Sequence, residues 1–221
     1  MVTCQQFFDG YIMTAIPITA RSEEYAFDLS GGRLCLDLAN TVSNRGGEHP
    51  IDHLRTYGDL IAWAAQAGAV SPGVAREIAA RAAARPGEAR QALATAIEVR
   101  ETLYRLFAAV ASGRRPRPED LAALNGHMPA ALARARLVRS DGRFVLKTEA
   151  AADDLASPIA PVIQSAIELL TSSDADRVRS CAADTCEWLF LDTTKNRTRR
   201  WCDMKVCGNR AKVRRFRERA P

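Results

Sequence analysis

The sequence predicts a mainly α fold: a helical N-terminal domain with one small β-hairpin, followed by a C-terminal hairpin-and-helix module built around four cysteines. Three observations predict it. Apolar residues recur at helical spacing through residues 31–113, with Ser or Thr at the starts and Gly at the stops. The period changes to alternation only at LVRSDGRFVLK, residues 137–147. Finally, Cys181, Cys186, Cys202 and Cys207 fall in two pairs, just where the composition turns basic.

The elements follow in order. GGRLCLDLANTVSNR (31–45) spaces Leu34, Leu38 and Val42 four apart on one helical face, after a Gly-Gly turn. TYGDLIAWAAQAG (56–68) has Thr56 as N-cap and Gly68 as its stop. SPGVAREIAARAAA (71–84) opens with Ser71 as cap and Pro72 at the first helical position. The longest helix, 86–113, buries a stripe of Val99, Leu103, Leu106, Phe107 and Val110. After the loop RRPRPED comes a weaker helical segment interrupted by Gly126 and Pro129, then a hairpin turning at Asp141-Gly142. A helix over 149–172 contains Pro158 and Pro161 and is expected to be kinked or split. Polar SSDADRVRS (172–180) marks the boundary. The division is therefore an extension over 1–24, a helical domain over 25–172 and a basic module over 173–221.

The chain has 221 residues, 47% of them hydrophobic, enough for a core without disulfides. Its net charge of +5 is unevenly spread. From Cys181 onward eleven Lys/Arg face five acids, while the remaining 180 residues hold 20 basic and 21 acidic groups. A near-neutral body thus carries a cationic end, the charge pattern of a polyanion-binding module. No apolar run is long enough for a membrane span. YIMTAIPITA (11–20) lacks a basic lead and contains Pro17, so export is not expected and the location is read as cytoplasmic.

Cys181-x4-Cys186-x15-Cys202-x4-Cys207 suits a tetrahedral thiolate site, each pair supplying two ligands from one tight loop. Two disulfides or free thiols are the competing arrangements, and a reducing cytosol disfavours the first. Zinc is the expected ion; nothing else in the chain suggests the electron transfer of an iron–sulfur cluster. Cys4 and Cys35 read as an exposed thiol and a core residue. The connection reads as a strand over Glu187–Leu191, a turn at TTKNRT and a returning strand over Arg199–Trp201, a treble-clef-like plan. Gly208 is expected at positive φ and Asn209 as the cap of a closing helix. On that helix Val213, Phe216 and Ala220 would pack on Trp188 and Phe190. Arg210, Lys212, Arg214, Arg215, Arg217 and Arg219 would flank the stripe. Arg214 or Arg215 is expected to read base edges, and Lys195, Arg197, Arg199 and Arg200 to clamp phosphates.

These residues also carry a resemblance. Cys207-Gly208-Asn209-Arg210, after Trp201-Cys202 and Cys181/Cys186, resembles the CGNR zinc finger of bacterial proteins, and Phe190-Leu191-Asp192 fits the same pattern. Gly31-Gly32, Leu36 to Val42, Arg45 and Asp59 to Trp63 resemble its usual companion, the ABATE domain. The resemblance covers roughly 26–218 and implies transcription regulation, with the helical body as the sensing part.

Asp37, Asn40, Thr41 and Arg45 cluster at the end of the first helix. They could bind a small anionic or carbonyl effector, or form a capping and loop-anchoring network. His49 and His53 are four apart, but Pro50 and the missing Glu argue against a zinc-protease motif. There is no phosphate loop and no nucleophile motif, and four thiolates leave no open metal position for water, so catalysis is not expected. The expectation is a zinc-dependent DNA-binding regulator with a small-molecule effector and a homodimer as further partners. The alternative is a zinc-organised RNA- or protein-binding module without sequence-specific DNA reading.

Overall fold

The computed structural model describes residues 25–217, whose elements are seven α-helices and three two-stranded antiparallel ribbons. The expected extension over 1–24 with Cys4, the chain end with Arg219 and Ala220, and the Arg215 side chain lie outside the described residues.

Local signals set the helix starts. Helix α1 (Leu34–Ala39) is shorter than its periodicity suggests. Asn40 leaves the helix to pair elsewhere, and Val42 lies in strand β1 (Val42–Ser43), antiparallel to β2 (Ile51–Asp52). Helix α2 (Tyr57–Gln66) begins with a reciprocal capping box: Asp59 N donates to Thr56 Oγ1 at 3.1 Å and Thr56 N to Asp59 Oδ2 at 2.9 Å. Helix α3 (Pro72–Ala84) starts at the Ser71 cap, and the long α4 (Pro86–Ala111) buries Val99, Leu103, Leu106 and Phe107 completely, leaving Val110 half-buried. Helix α5 (Pro118–Leu132) runs unbroken through Gly126 and Pro129. Packing against α4 and α6 (Ala160–Leu170) outweighs the local cost of both residues. The 149–172 segment is split as its prolines require, with a 3-10 turn at Ser157–Ile159 ahead of α6.

Strands β3 (Ala135–Ser140) and β4 (Arg143–Thr148) form the expected hairpin. Asp141 and Gly142 both have positive φ, 49° and 78°, as a tight two-residue hairpin turn demands. In the C-terminal part the expected hairpin is not formed. Strand β6 (Leu189–Leu191) pairs with β5 (Val178–Ser180), not with Arg199–Trp201. The 192–199 loop wraps around Asp192, and Arg200 O instead accepts from Ala182 N at 2.8 Å. Helix α7 (Asn209–Arg217) closes the described chain.

The core does not stop at the expected boundary near 173. Val178, Leu189 and Leu191 belong to the same buried cluster as Leu36, Leu38, Leu103 and Leu106. Phe190, between the two leucines, faces the cysteines. Alternation along one strand therefore places β6 in two cores at once.

Buried charge is met by an ion pair or by hydrogen-bond donors. Arg100, 3% exposed, forks onto Asp52 at 2.7 and 2.8 Å and donates to Glu101 at 2.8 Å. Asp37 has no cation in contact among the described residues; it accepts Gly31 N at 2.8 Å, and burial pushes its carboxyl up to about 6. A folded-state value above the unfolded one means stability declines as pH rises from about 4 to about 6. Asp37→Asn keeps an acceptor for Gly31. Its denaturation midpoint should correspond to a gain on the order of 1–3 kcal/mol at pH 7.5, shrinking to nothing below about pH 4. An equal effect at both pH values would contradict this account.

Candidate metal centre and basic surface

Cys181 follows β5, Cys186 sits in the tight loop that returns to β6, Cys202 stands two residues ahead of a π-helical turn, Met204–Gly208, and Cys207 lies within that turn. All four Sγ atoms lie within 4.8 Å of one another, with Cys186–Cys202 at 3.7 Å and Cys202–Cys207 at 3.6 Å. A tetrahedral thiolate site with metal–sulfur bonds of about 2.3 Å requires sulfurs about 3.8 Å apart, so the donor set fits. Phe190 is fully buried beneath the sulfurs, with Trp188 and Trp201 packed at the sides.

The sulfurs also shift one another's protons. Hydrogen bonds from Cys186 and Cys202 pull the Cys181 thiol down to about 2, whereas Cys181 pushes Cys186 up to about 12. Cys202 is raised by the same neighbours, and Cys207 by burial and the Cys181 charge. Four sulfurs this close are strained as four thiolates; a divalent cation among them relieves that repulsion. Cys35 is a different case. It is fully buried in the body, and burial raises its thiol to about 12.

The turn carrying Cys207 departs from expectation in two ways. Asp203 supplies the cap, its Oδ1 accepting from Val206 N at 2.9 Å and from Lys205 N. Asn209 lies inside the helical run and donates from Nδ2 to Lys205 O at 2.9 Å. Gly208 is not at positive φ; a side chain there would meet the thioether end of the half-exposed Met204, which would have to turn aside. An Asp directly before the turn, accepting from the amides two and three residues on, is an Asx-type signal readable in the sequence.

The expected basic residues separate into two groups. Lys195, Arg197 and Arg200 on the loop, and Arg210, Lys212 and Arg217 on α7, are exposed. Arg199 points inward: its Nε donates to Trp201 O at 2.9 Å, Nη2 bonds Cys202 O, and the guanidinium stands 4.4 Å from the Phe190 ring centre. It braces the metal loop instead of offering a free charge. Arg214 forms an ion pair with Asp184 of the first cysteine loop. Lys205, Arg210, Arg214 and Arg217 line an open cleft of about 590 Å³ along α7, with Val206 and Val213 between them. Val213 and Phe216 are 51% and 76% exposed, so the expected stripe does not pack on the hairpin. The hairpin's own aromatic, Phe190, is already covered by the cysteines and Arg199.

Asp192, part of the Phe190-Leu191-Asp192 motif, organises the loop. Fully buried, it accepts Thr194 N at 2.9 Å, Thr194 Oγ1 at 2.6 Å and Arg199 N at 3.0 Å. Burial opposes its charge, but these donors prevail and hold the carboxyl below its usual range. Arg177 completes the support by donating to Asp192 O and Thr194 O, each at 3.0 Å.

The four candidate effector residues all make internal contacts. Asn40 Nδ2 donates to Leu189 O at 2.8 Å and Asn40 Oδ1 accepts Leu189 N at 2.9 Å, so its amide pairs with β6 as a strand would. Thr41 Oγ1 donates to Leu38 O at 2.7 Å, and Asp37 holds Gly31. Arg45 grips Glu101 at 2.7 and 3.1 Å and stands 4.0 Å from the Tyr104 ring centre. The geometry is that of the anchoring network. Further bonds join body to module: Trp188 Nε1 to Val42 O at 2.7 Å, Leu191 N to Gly31 O at 2.9 Å, and Tyr104 OH to Glu187 Oε2 at 3.1 Å. His53 Nε2 bonds Ser43 Oγ at 2.8 Å and its ring stacks on Tyr25, a loop-anchoring place.

A four-cysteine module joined through strand β6 to a helical body is thus defined by geometry alone. Family comparison agrees. Residues 32–173 match the ABATE model, described as "Putative stress-induced transcription regulator", and residues 177–220 match the CGNR zinc finger. The chain belongs to the ABATE family and carries a CGNR zinc finger at its C-terminal end. No curated protein matches it with significance. Among the described residues, no helix is long and apolar enough to cross a membrane.

Metal removal should unravel only part of the module. Val178, Leu189 and Leu191 are held by the body, whereas the chain after Asp192 depends on the cysteines. Native protein should hold one metal ion per chain, and Cys202→Ser should lose it. With a chelator, trypsin should cut much faster after Arg200 and Lys205 while Arg179 stays protected. Cleavage after Arg179 at a matching rate would show that β5 and β6 depend on the metal as well.

Proposed function

We propose that the protein is a zinc-dependent, DNA-binding transcription regulator whose helical body responds to a small effector. The observation that carries this reading is the start of α7. The turn that leads into it carries Cys207 and follows Cys202, so a bound ion fixes the direction in which a cationic helix leaves the module. Zinc suits four thiolates, as a redox-silent ion without geometric demands of its own. Closed by four sulfurs, such a site has no position for water, which supports a structural, non-catalytic role. Arg210, Lys212 and Arg217 would neutralise phosphates, as would Lys195, Arg197 and Arg200. Arginine's fork can also pair with guanine in the major groove, and Arg210 is exposed in the first turn of α7, three residues past Cys207.

The exposed Val213 and Phe216 favour a second reading, in which α7 holds a protein partner instead of a nucleic acid.

The test is binding of labelled duplex from the protein's own upstream region, a scrambled duplex and RNA over a salt series. Arg210→Ala and Arg217→Ala should each flatten the logarithmic salt slope by about 0.9 on DNA. Arg210→Ala should in addition lower the preference for the specific duplex by roughly 1–3 kcal/mol. Arg199→Ala should act differently, lowering the module's thermal stability and metal retention. Equal binding to all three nucleic acids would sink sequence reading. No binding to any of them, with Phe216→Ala disrupting a protein complex, would establish the second reading.

A further inference from the structure

The body carries a groove of about 640 Å³ whose lining includes none of the four polar residues first considered for a ligand. It is bounded by the start of α1, the turn from α2 to α3, the end of β4 and one face of α6. Its volume falls in the range of small-molecule sites, roughly 300–1,000 Å³. Leu34, Val70, Val74 and Pro161 contribute apolar walls. The charges around it balance: Arg33 and Lys147 against Glu149 and Glu168. They are also engaged, Arg33 with Asp174 at 3.0 Å and Lys147 with Glu149 at 3.1 Å. Such a wall has no surplus charge with which to hold an ion.

One group at the groove has an unmet demand. Thr148, at the end of β4, is 5% exposed, and among the described residues its Oγ1 has no hydrogen-bond partner. Leaving a buried hydroxyl without a partner is unfavourable; the oxygen is covered by the protein, so a bound molecule meets it only with a small shift of the groove wall.

The groove is also mechanically connected. Leu34, the first residue of α1, lines it, and Cys35 N is bonded to Ser165 Oγ of α6 at 3.4 Å. Six residues on, about 9 Å at 1.5 Å per residue, the same helix ends at Asn40. Asn40 is the residue whose amide pairs with Leu189, in the strand that underlies the metal site. One short helix therefore connects the groove to the strand beneath the cysteines.

We propose that this groove is the effector site: it takes an uncharged small molecule with an apolar body and one hydrogen-bonding group, and α1 transmits its occupancy to Leu189. The assignment of effector rests on the regulator reading above; the groove as a ligand site does not.

The test uses the full-length zinc-loaded protein and the neutral fluorophore N-phenyl-1-naphthylamine. Saturable binding of about one equivalent is expected. Ala65→Phe, which fills the groove from α2, should weaken it at least tenfold. Thr148→Val keeps the shape and removes the hydroxyl, and should weaken it about three- to tenfold, the worth of one hydrogen bond. At saturation the Leu189 amide resonance should shift, and should shift less in Asn40→Ala. Absence of saturable binding, or unchanged affinity in both Ala65→Phe and Thr148→Val, overturns the site. Saturation without movement at Leu189 overturns the relay. DNA affinity is measured separately, so a protein that binds the fluorophore but no DNA refutes the regulator reading and leaves the groove standing.

Discussion

Everything C-terminal of the helical body hangs on a strand of three residues. In Leu189–Leu191 successive side chains point to opposite faces, so the two leucines enter the body's core while Phe190 supports the cysteines. A one-residue slip would put Phe190 into the helices and a leucine under the sulfurs. The register is secured from both sides. Strand β5 pairs along one edge, and Asn40 offers its amide to Leu189 on the other, donating and accepting at once. A carboxamide is the side chain that can imitate a backbone peptide in this way. The result is a metal module that shares its foundation with the domain before it.

The same economy governs the charges. Arginine is abundant, but position decides what each one does. Arg100 and Arg45 lie inside the body, forked onto Asp52 and Glu101, where their planar donors meet carboxylates that also need partners. Arg199 sits against Phe190 and tethers backbone carbonyls at the metal loop. Asp192 does for the loop what Asp203 does for the following turn, each gathering backbone amides that would otherwise point at one another. With those groups committed, the exposed cations of the loop and of α7 remain as a surface whose charge is not consumed by the fold.

A fused architecture has consequences for communication. The body and the module meet through Val42, Gly31, Asn40 and Tyr104 on one side and Trp188, Leu191, Leu189 and Glu187 on the other. No flexible linker separates them, so small movements in α1 or α4 need not be amplified to be felt at the cysteines. Packed cores of this kind change between discrete arrangements instead of deforming gradually.

Much of this was legible in the chain. Thr56 and Ser71 announced their helices, Asp141-Gly142 its hairpin, and the spacing of Cys181, Cys186, Cys202 and Cys207 the cluster of sulfurs, because caps, tight turns and ligand pairs are settled within a few residues. Local signals failed where long-range contacts compete with them. Val42 left its helix because Asn40 was claimed by Leu189, 149 residues away. Arg199 read as one more surface cation until Phe190 and Cys202 stood around it. Val213 and Phe216 had helical spacing, but the surface they were expected to cover was already occupied. The sequence by itself determined where helices begin and which atoms gather at the metal. Only the tertiary structure decided which strand β6 joins and which arginines face water, since pairing and burial depend on what else has arrived at the same place.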